Sequence, residues 1–434
     1  MGPAPPRSIS GALQPIRAFH HNCVPFMLAC AKPPAQMNDM PHLSTRISGI
    51  LTGGKTGWEI HFHALARKQA GEAVLMVTAG DHDFPTPEET VEACVAAVRA
   101  GHHHYTQLEG IPALRRAMAK VSQQASGVMT GPENILATGG GQGALFAAVH
   151  AACDPGDHAV IAAPYYATYP GTFRAAGASF TIVDAKPEDG FQPRAEALEA
   201  AVTERTRAIL INSPNNPTGA VYARETLEGI ADLCRRRDLW LISDEVYWTH
   251  TGGTEHISPQ ALDGMAERTM IVQSMSKSHG MTGWRVGWLV APPSIITPLI
   301  GLNLVSTYGL NDFVSHAAVE ALEKSIGVAE ITVLYAERRQ AFAEAIGGIP
   351  GIRARGSQGG IYSVLDVRDI CASGEDFAWS LLEAENLAVM PGESFGEATA
   401  GHIRISLCQP EAVLEEAARR IRRHAVRLSQ KGAA

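Results

Sequence analysis

The sequence predicts an α/β protein whose larger part is a mainly parallel, seven-stranded sheet flanked by helices. Seven short apolar runs carry the first half of that reading: "ILAT" (135–138), "AVIAAP" (159–164), "FTIVD" (180–184), "AILINS" (208–213), "WLISDE" (240–245), "MIVQS" (270–274) and "VGWLVA" (286–291). Several are continuous rather than alternating, the pattern of strands covered on both faces. Helical stretches such as "QGALFAAVHAAC" and "ARETLEGIADLCRRR" lie between them. A strand–helix–strand repeat of this kind folds as crossovers onto a parallel sheet. Beyond Ala329 the pattern changes. "AEITVLYAERRQAFAEAI" reads as one long helix, and "GIRARGSQGGIYSVLDV", a further helix and "HIRISL" predict a smaller α+β unit.

Upstream of the runs, a helical pattern covers about Trp58 to Gln69, with Gly71 as its stop. In "TPEETVEACVAAVRAG", Thr86 is the candidate N-cap, Pro87 sits in the first turn, Glu88 and Glu89 suit the helix dipole, and Gly101 ends the helix. The first 40 residues differ in kind, being rich in proline, without an acid before Asp39, and biased basic by Arg7, Arg17 and Lys32. They read as a disordered or leader-like extension, with Met37 or Met40 as alternative starts. The expected division is 1–40 extension, 41–84 the N-terminal part of a small domain, 85–329 the large domain, and 330–434 the rest of the small one.

Composition narrows the function. The 434 residues are 45% hydrophobic and carry a net charge of −8, with the charges scattered. Nucleic acid needs a clustered basic stripe, so none is expected as a partner. No apolar run approaches the roughly 20 residues that span a bilayer, so no membrane is expected either. The seven cysteines, Cys23, Cys30, Cys94, Cys153, Cys234, Cys371 and Cys408, are odd in number and form no CxxC pair. Reduced thiols in a cytoplasmic protein are expected. "HHH" (102–104) and "HFH" (61–63) invite a metal. Adjacent histidines rarely converge on one ion, and no carboxylate or cysteine keeps ligand spacing with them, so no metal is expected.

The chemistry gathers at the ends of the apolar runs, where ligands of such sheets bind. In "SMSKSHGMTGWRVGW" (274–288), Lys277 follows Ser274 and Ser276, and Arg285 comes eight positions later. A lysine amine forms a Schiff base with a carbonyl once its surroundings lower its pKa from about 10.4. Arg285 offers a fork suited to phosphate, and the serines add hydroxyl donors. An aldehyde cofactor carrying a phosphate needs all of these together. In "ISDEVY", Asp244 ends a run and Tyr247 follows. The aspartate is suited to pair with a pyridinium nitrogen, and the tyrosine to donate to a ring hydroxyl. "SPNNPTG" (213–219) reads alone as a turn, but its Asn216 can donate to a phenolate oxygen. "TGGGQGALFAA" (138–148) is a glycine-rich turn opening a helix, a cradle for phosphate at Gly140, Gly141 and Gln142. "PYYATYP" (164–170) holds aromatics that are either core or stacked on a flat ring.

Taken in order, "SPNNPTG", "SDEVY" and "SMSKSHGMTGWRVGW" resemble the class I/II aminotransferases of the pyridoxal-phosphate-dependent fold type I family, over about His42 to Arg423. The resemblance implies pyridoxal 5'-phosphate as cofactor and a homodimer with shared sites, the large domain binding the cofactor. It implies Lys277 as the covalent attachment point and general base, and Asp244 as the pyridinium partner. Asn216 and Tyr247 become donors to the ring hydroxyl. Ser274, Ser276, Arg285 and the backbone around Gly140, Gly141 and Gln142 hold the phosphate. Tyr166 is the stacking aromatic, and Tyr105, in "HYTQLEGIPALRRAMA", reaches the neighbouring subunit's phosphate. Arg404 grips the substrate α-carboxylate, aided by the backbone of Gly80 and by Asn216.

Aspartate-type relatives often carry a lysine where this chain has Gln142, which argues against a dicarboxylate substrate. "GWEIHFHALAR" and the lysine segment are most similar to the arginine–pyruvate transaminase subgroup. Arginine as donor and pyruvate as acceptor are the expectation, with Asp81 or Glu109 to meet the guanidinium. The alternatives are an aspartate, aromatic or broad-specificity aminotransferase, a cysteine-conjugate β-lyase, or a regulator keeping the fold for binding. Intact Lys277, Asp244 and Arg285 favour catalysis.

Overall fold

The computed structural model describes residues 43–50, 57–355 and 357–432. The extension expected over 1–40, with Cys23 and Cys30, lies outside them. All seven apolar runs are strands: β1 Ile135–Gly139, β2 His158–Ala163, β3 Ser179–Asp184, β4 Thr206–Asn212, β5 Trp240–Asp244, β6 Thr269–Ser274 and β7 Val286–Val290. They form one sheet in the order β1-β7-β6-β5-β4-β2-β3. Neighbours from β6 to β3 run parallel, and β7 lies antiparallel to both β6 and β1. The C-terminal ends of β1, β2, β4, β5 and β6 therefore share one edge with the N-terminal end of β7. That brings the residues after five strands, and Arg285 just before β7, to one place.

Central strands are buried on both faces, as their continuous apolar sequences require. All six residues of β2 and of β6 are buried. Strand β3 departs from this, with Ser179, Thr181, Ile182 and Asp184 exposed. Among the described residues it pairs only with β2, which makes it the last strand of the sheet. Helices Gly141–Ala152 and Arg224–Arg237 fill the crossovers. The first packs Leu145 and Val149 with Leu136, Ile161, Ile242 and Leu289 of the sheet, and the second packs Leu227, Ile230 and Leu233 with Ile209, Ile211 and Leu241. Burying each such side chain contributes about 1.5–3 kcal/mol.

A second, antiparallel sheet joins Met390–Pro391, His402–Ser406, Tyr362–Asp366 and Arg353–Arg355 in that order. The long helix Val328–Ile346 and the helices Gly374–Glu385 and Glu411–Gly432 accompany it. The N-terminal segment shares this core. Ile60, Ala64, Val74 and Val77 cluster with Phe342, Phe377, Leu381 and Ile403. Leu75–Met76 pairs in parallel with Leu387–Ala388.

Thr86 does not cap its helix. Pro87 occupies the N-cap of Glu88–Arg99, with no side-chain cap. The Thr86 hydroxyl donates to Gly280 O at 2.8 Å and accepts from Trp284 Nε1 at 2.9 Å. A hydroxyl with two partners in the loop after Lys277 is worth more there than one helix N–H.

Candidate active site

The shared sheet edge opens into a cavity of about 550 Å³, a size that holds a small molecule with a second one beside it. Asp244 stands on its floor at the end of β5, buried, its Oδ2 accepting from Tyr169 Oη at 2.6 Å and its Oδ1 from the Val246 N–H at 3.2 Å. Among the described residues it has no ion-pair partner. Burial therefore pushes its carboxyl up to about 6, against the two hydrogen bonds and with help from Glu245. Its backbone is fixed by Asn212, whose Nδ2 donates to Asp244 O at 2.8 Å and whose Oδ1 accepts the Asn216 N–H at 2.7 Å. Tyr169 and Asn212 line the cavity and were missed in the sequence, where each reads as core or turn.

Lys277 projects into the same cavity from the one-turn helix Met275–Ser278 that follows β6. Ser274 caps that turn, its Oγ accepting the Ser276 N–H at 3.1 Å and donating to Ser276 Oγ at 2.9 Å. Lys277 Nζ donates to Gly80 O at 2.5 Å. Burial lowers the Lys277 ammonium below the ordinary lysine range. Arg285 and Arg404 push the same way, while Cys408 and Asp81 oppose. A lysine so placed is more often a free amine, the form that acts as nucleophile and base. Behind it, His82 sits 2.7 Å from Tyr335 Oη and 3.0 Å from Ser276 O, and Tyr335 Oη lies 3.2 Å from Cys408 Sγ. Burial and the Lys277 charge lower His82 to about 4, so it stays neutral. No local motif announces this cluster, which joins four distant segments at His82, Ser276, Tyr335 and Cys408.

Arg285 has φ +56°, the left-handed region that costs an ordinary side chain roughly 1–2 kcal/mol. Its guanidinium donates to Thr282 O at 2.9 Å and Gly139 O at 3.1 Å, which sets it over the glycine turn. Gly140 has φ +80°, a conformation that strains any residue with a Cβ, and such a Cβ would meet the Arg285 guanidinium. Gly141 and Gln142 line the cavity at the N-terminus of helix Gly141–Ala152, whose free N–H groups point to an anion. Ser274, Ser276, Arg285 and this helix end thus converge on one side. Tyr166 and Tyr247 also line the cavity, Tyr247 buried with its ring edge-on to Tyr362 at 6.2 Å between centres.

Arg404 faces the cavity from the second sheet, 4% exposed. It donates to Asn216 Oδ1 at 3.1 Å and to Thr78 O at 2.5 Å. Its guanidinium carbon lies 4.1 Å from the Tyr362 ring centre and 4.6 Å from that of Phe395, held between two aromatic faces. Its buried Nε has no hydrogen-bond partner among the described residues, a donor left for a ligand. Gly80 belongs to the loop above, where a Cβ would stand 1.9 Å from Tyr362 Oη. Arg338 anchors that loop by two bonds to Asp83, at 2.7 and 2.8 Å.

Gln142 spends both ends of its amide inside the protein, on Thr172 Oγ1 at 3.0 Å and Thr168 Oγ1 at 2.8 Å, and brings no charge. Asp81 lines the cavity and accepts from Thr282 Oγ1 at 2.6 Å. Glu109 does not line it and pairs with Arg115 at 3.4 Å. Tyr105 is 87% exposed, beside Tyr308 at 5.0 Å between ring centres, and does not enter its own chain's cavity. His102 lies 3.2 Å from Asp312, a carboxylate 210 positions away that spacing along the chain does not reveal.

A strand-end lysine, a buried carboxyl awaiting a cation, an anion cradle and a buried arginine define a site for transfer chemistry on an amino acid. Residues 72–421 match the family model "Aminotransferase class I and II". The chain belongs to that family and is an aminotransferase, acting on an amino acid and a 2-oxo acid, and its family uses pyridoxal phosphate. Among curated relatives, it is 41% identical over 377 residues to the arginine–pyruvate transaminase AruH of Pseudomonas aeruginosa, covering 87% of this chain and 95% of that one. It is 36% identical over 388 residues to an aspartate/prephenate aminotransferase of Thermus thermophilus, covering 88% and 99%. A solved double mutant of Thermus thermophilus aspartate aminotransferase superposes with a TM-score of 0.83 at 35% identity, covering 89% of this chain and 100% of that one.

Proposed function

We propose that this enzyme carries pyridoxal phosphate on Lys277 and moves the α-amino group of L-arginine to pyruvate, as a cytoplasmic homodimer. The residues fit the cofactor. Asp244 is a buried carboxyl raised to about 6 for want of a cation, which a ring N–H would supply. At Gly140 and Gly141 a Cβ would meet the Arg285 guanidinium and crowd Val246 and Ser274, so the glycines let Arg285 and Ser274 close on the helix N-terminus that suits a phosphate. When bound, the cofactor supplies a carbonyl to take the amino group and a ring to accept the electrons of the deprotonated α-carbon.

The chain's own groups do the rest. Asp244 keeps a proton on the ring nitrogen, and Asn216 and Tyr247 donate to the ring hydroxyl. Tyr166 stacks on the ring. Ser274, Ser276, Arg285 and the N–H groups at Gly141 and Gln142 hold the phosphate, so the ring stays in place while its covalent partner changes. Arg404 and Asn216 orient the substrate α-carboxylate, with the Gly80 backbone beside it. Lys277, which its buried setting favours as a neutral amine, would serve as the base that takes the substrate α-proton and gives it back.

The observation that carries arginine is the 41% identity to an arginine–pyruvate transaminase over most of both chains. The cavity lining supports it. Its carboxylates among the described residues are Asp244, committed to the floor, and Asp81, free to meet a guanidinium, while Gln142 offers no cation for a second carboxylate. Exposed Tyr105, Tyr308, Leu304 and Val305 support a homodimer. The five described cysteines are unbridged, in keeping with a reducing compartment. No helix among the described residues is long and apolar enough to cross a membrane.

The test is a half-reaction. L-arginine is added to the enzyme loaded with pyridoxal phosphate, with no oxo acid present, and the cofactor absorbance is followed. Loss of the resting band, restored by pyruvate, is expected. A change with aspartate or an aromatic amino acid but none with arginine would remove arginine as donor. Ammonia and pyruvate released from a cysteine conjugate, with no oxo acid present, would point to the β-lyase.

A further inference from the structure

Away from the cavity, the C-terminal end of helix Glu88–Arg99 leads into His102, and helix Asp312–Glu323 packs beside it. Three side chains meet there. His102 Nδ1 lies 3.2 Å from Asp312 Oδ2, and His316 Nε2, one turn along from Asp312, lies 3.4 Å from Asp312 Oδ1. The three donor atoms fall within 4.8 Å of one another, and the two imidazoles stack with ring centres 3.7 Å apart. We propose that His102, Asp312 and His316 bind a divalent transition-metal ion of the zinc type.

Geometry and donor chemistry carry the proposal. Zinc binds imidazole nitrogen at about 2.0–2.1 Å and carboxylate oxygen at about 2.0–2.2 Å in a tetrahedron, which sets neighbouring ligand atoms roughly 3.3–3.5 Å apart. The two histidines approach different oxygens of Asp312, at 3.2 and 3.4 Å, and one donor atom from each residue lies within 4.8 Å of the others, so side-chain rotations of about an ångström bring the three onto one ion. Two imidazoles and one carboxylate suit a borderline ion. Calcium and magnesium prefer oxygen throughout. The side chains of His102 and His316 are 40% and 37% exposed, which leaves an entry path and a fourth position for water. The i,i+4 spacing of Asp312 and His316 puts both on one helix face before any ion arrives. The ion would clamp this helix to the segment that runs on to Tyr105.

The experiment uses the untagged full chain, loaded with pyridoxal phosphate and stripped of metal by a chelator that is then removed. Zinc is titrated by calorimetry, and cobalt is followed by its visible absorption. The wild type should take up one zinc per chain, melt at a higher temperature with it, and give the intense bands of four-coordinate cobalt. His102→Gln and Asp312→Asn should each weaken that uptake by about 100-fold or more, since even outer partners of a metal ligand are worth 10–100-fold. His103→Gln, an exposed neighbour, should leave it unchanged. Circular dichroism and the cofactor absorbance report whether each variant is folded. A wild type that takes up no zinc would overturn the proposal. So would folded His102→Gln and Asp312→Asn proteins that bind as the wild type does.

Discussion

Arg285 and Arg404 both bring positive charge to the cavity, and they are held in opposite ways. Arg285 sits in a loop, exposed, in a left-handed conformation, and its guanidinium is tied to two backbone carbonyls close by. Arg404 is buried in a strand with extended geometry, boxed by Tyr362, Phe395, Asn216 and Thr78 from four separate segments. The first position is set by a short stretch of chain at the expense of local strain. The second is set by the fold, and desolvates a charge that only a ligand completes. Lys277 lies within reach of both fields, and each lowers its pKa.

Removing the lysine that the two arginines flank should have the largest effect. Lys277→Ala is expected to lower kcat for amino-group transfer on the order of 10⁴-fold while the protein stays folded, measured by steady-state kinetics alongside circular dichroism. Asp244→Asn comes next, at about 10²–10³-fold in kcat, because the carboxylate that would pair with the cofactor's ring N–H is lost, an effect of about 3–5 kcal/mol. Its stability should move the other way. The Asp244 carboxyl is raised from 3.8 to about 6 in the cofactor-free fold, so the fold favours its protonated form. That contribution is present below about pH 4 and is lost as pH rises through 6. Cofactor-free Asp244→Asn should therefore be more stable than wild type at pH 8, by up to about 3 kcal/mol, and no more stable at pH 4. Equal urea midpoints at pH 8 would mean that Asp244 is not desolvated as described.

Arg404→Lys tests the buried arm of the comparison. The charge remains, but the planar fork between two rings is lost, so kcat/KM for arginine should fall roughly 10–100-fold, mostly through KM. Arg285→Gly tests the strained arm. Glycine relieves the left-handed conformation, so the cofactor-free protein should be as stable as wild type or stabler by about 1 kcal/mol. Its affinity for pyridoxal phosphate should fall by about 10-fold, read by fluorescence titration. Loss of stability with unchanged cofactor affinity would reverse the roles assigned to the two arginines.

Much of this arrangement could be read in the sequence because it is local. The apolar runs become strands since a parallel sheet buries both faces, and each chemical motif follows a run directly. The same physics explains where reading failed. "FTIVD" looks like a central strand, and its exposure follows from being last in the sheet, which no local pattern records. Thr86 satisfies every rule for a cap, yet finds Gly280 and Trp284. Asp81 and Glu109 were equal candidates until packing put one at the cavity and paired the other with Arg115. Tyr169 had no visible reason to reach Asp244.

The sequence by itself determined the strands, the glycine turn, and the order in which lysine, aspartate and arginine reach the sheet edge, because hydrophobic period and turn chemistry act over a few residues. Only the tertiary structure decided which distant groups share a site: Arg404 against Asn216, Gly80 against Lys277, His82 against Tyr335, His102 against Asp312 and His316. Those pairings depend on how two sheets and their helices pack. Desolvation, which raises Asp244 and lowers Lys277, exists only once that packing has excluded water.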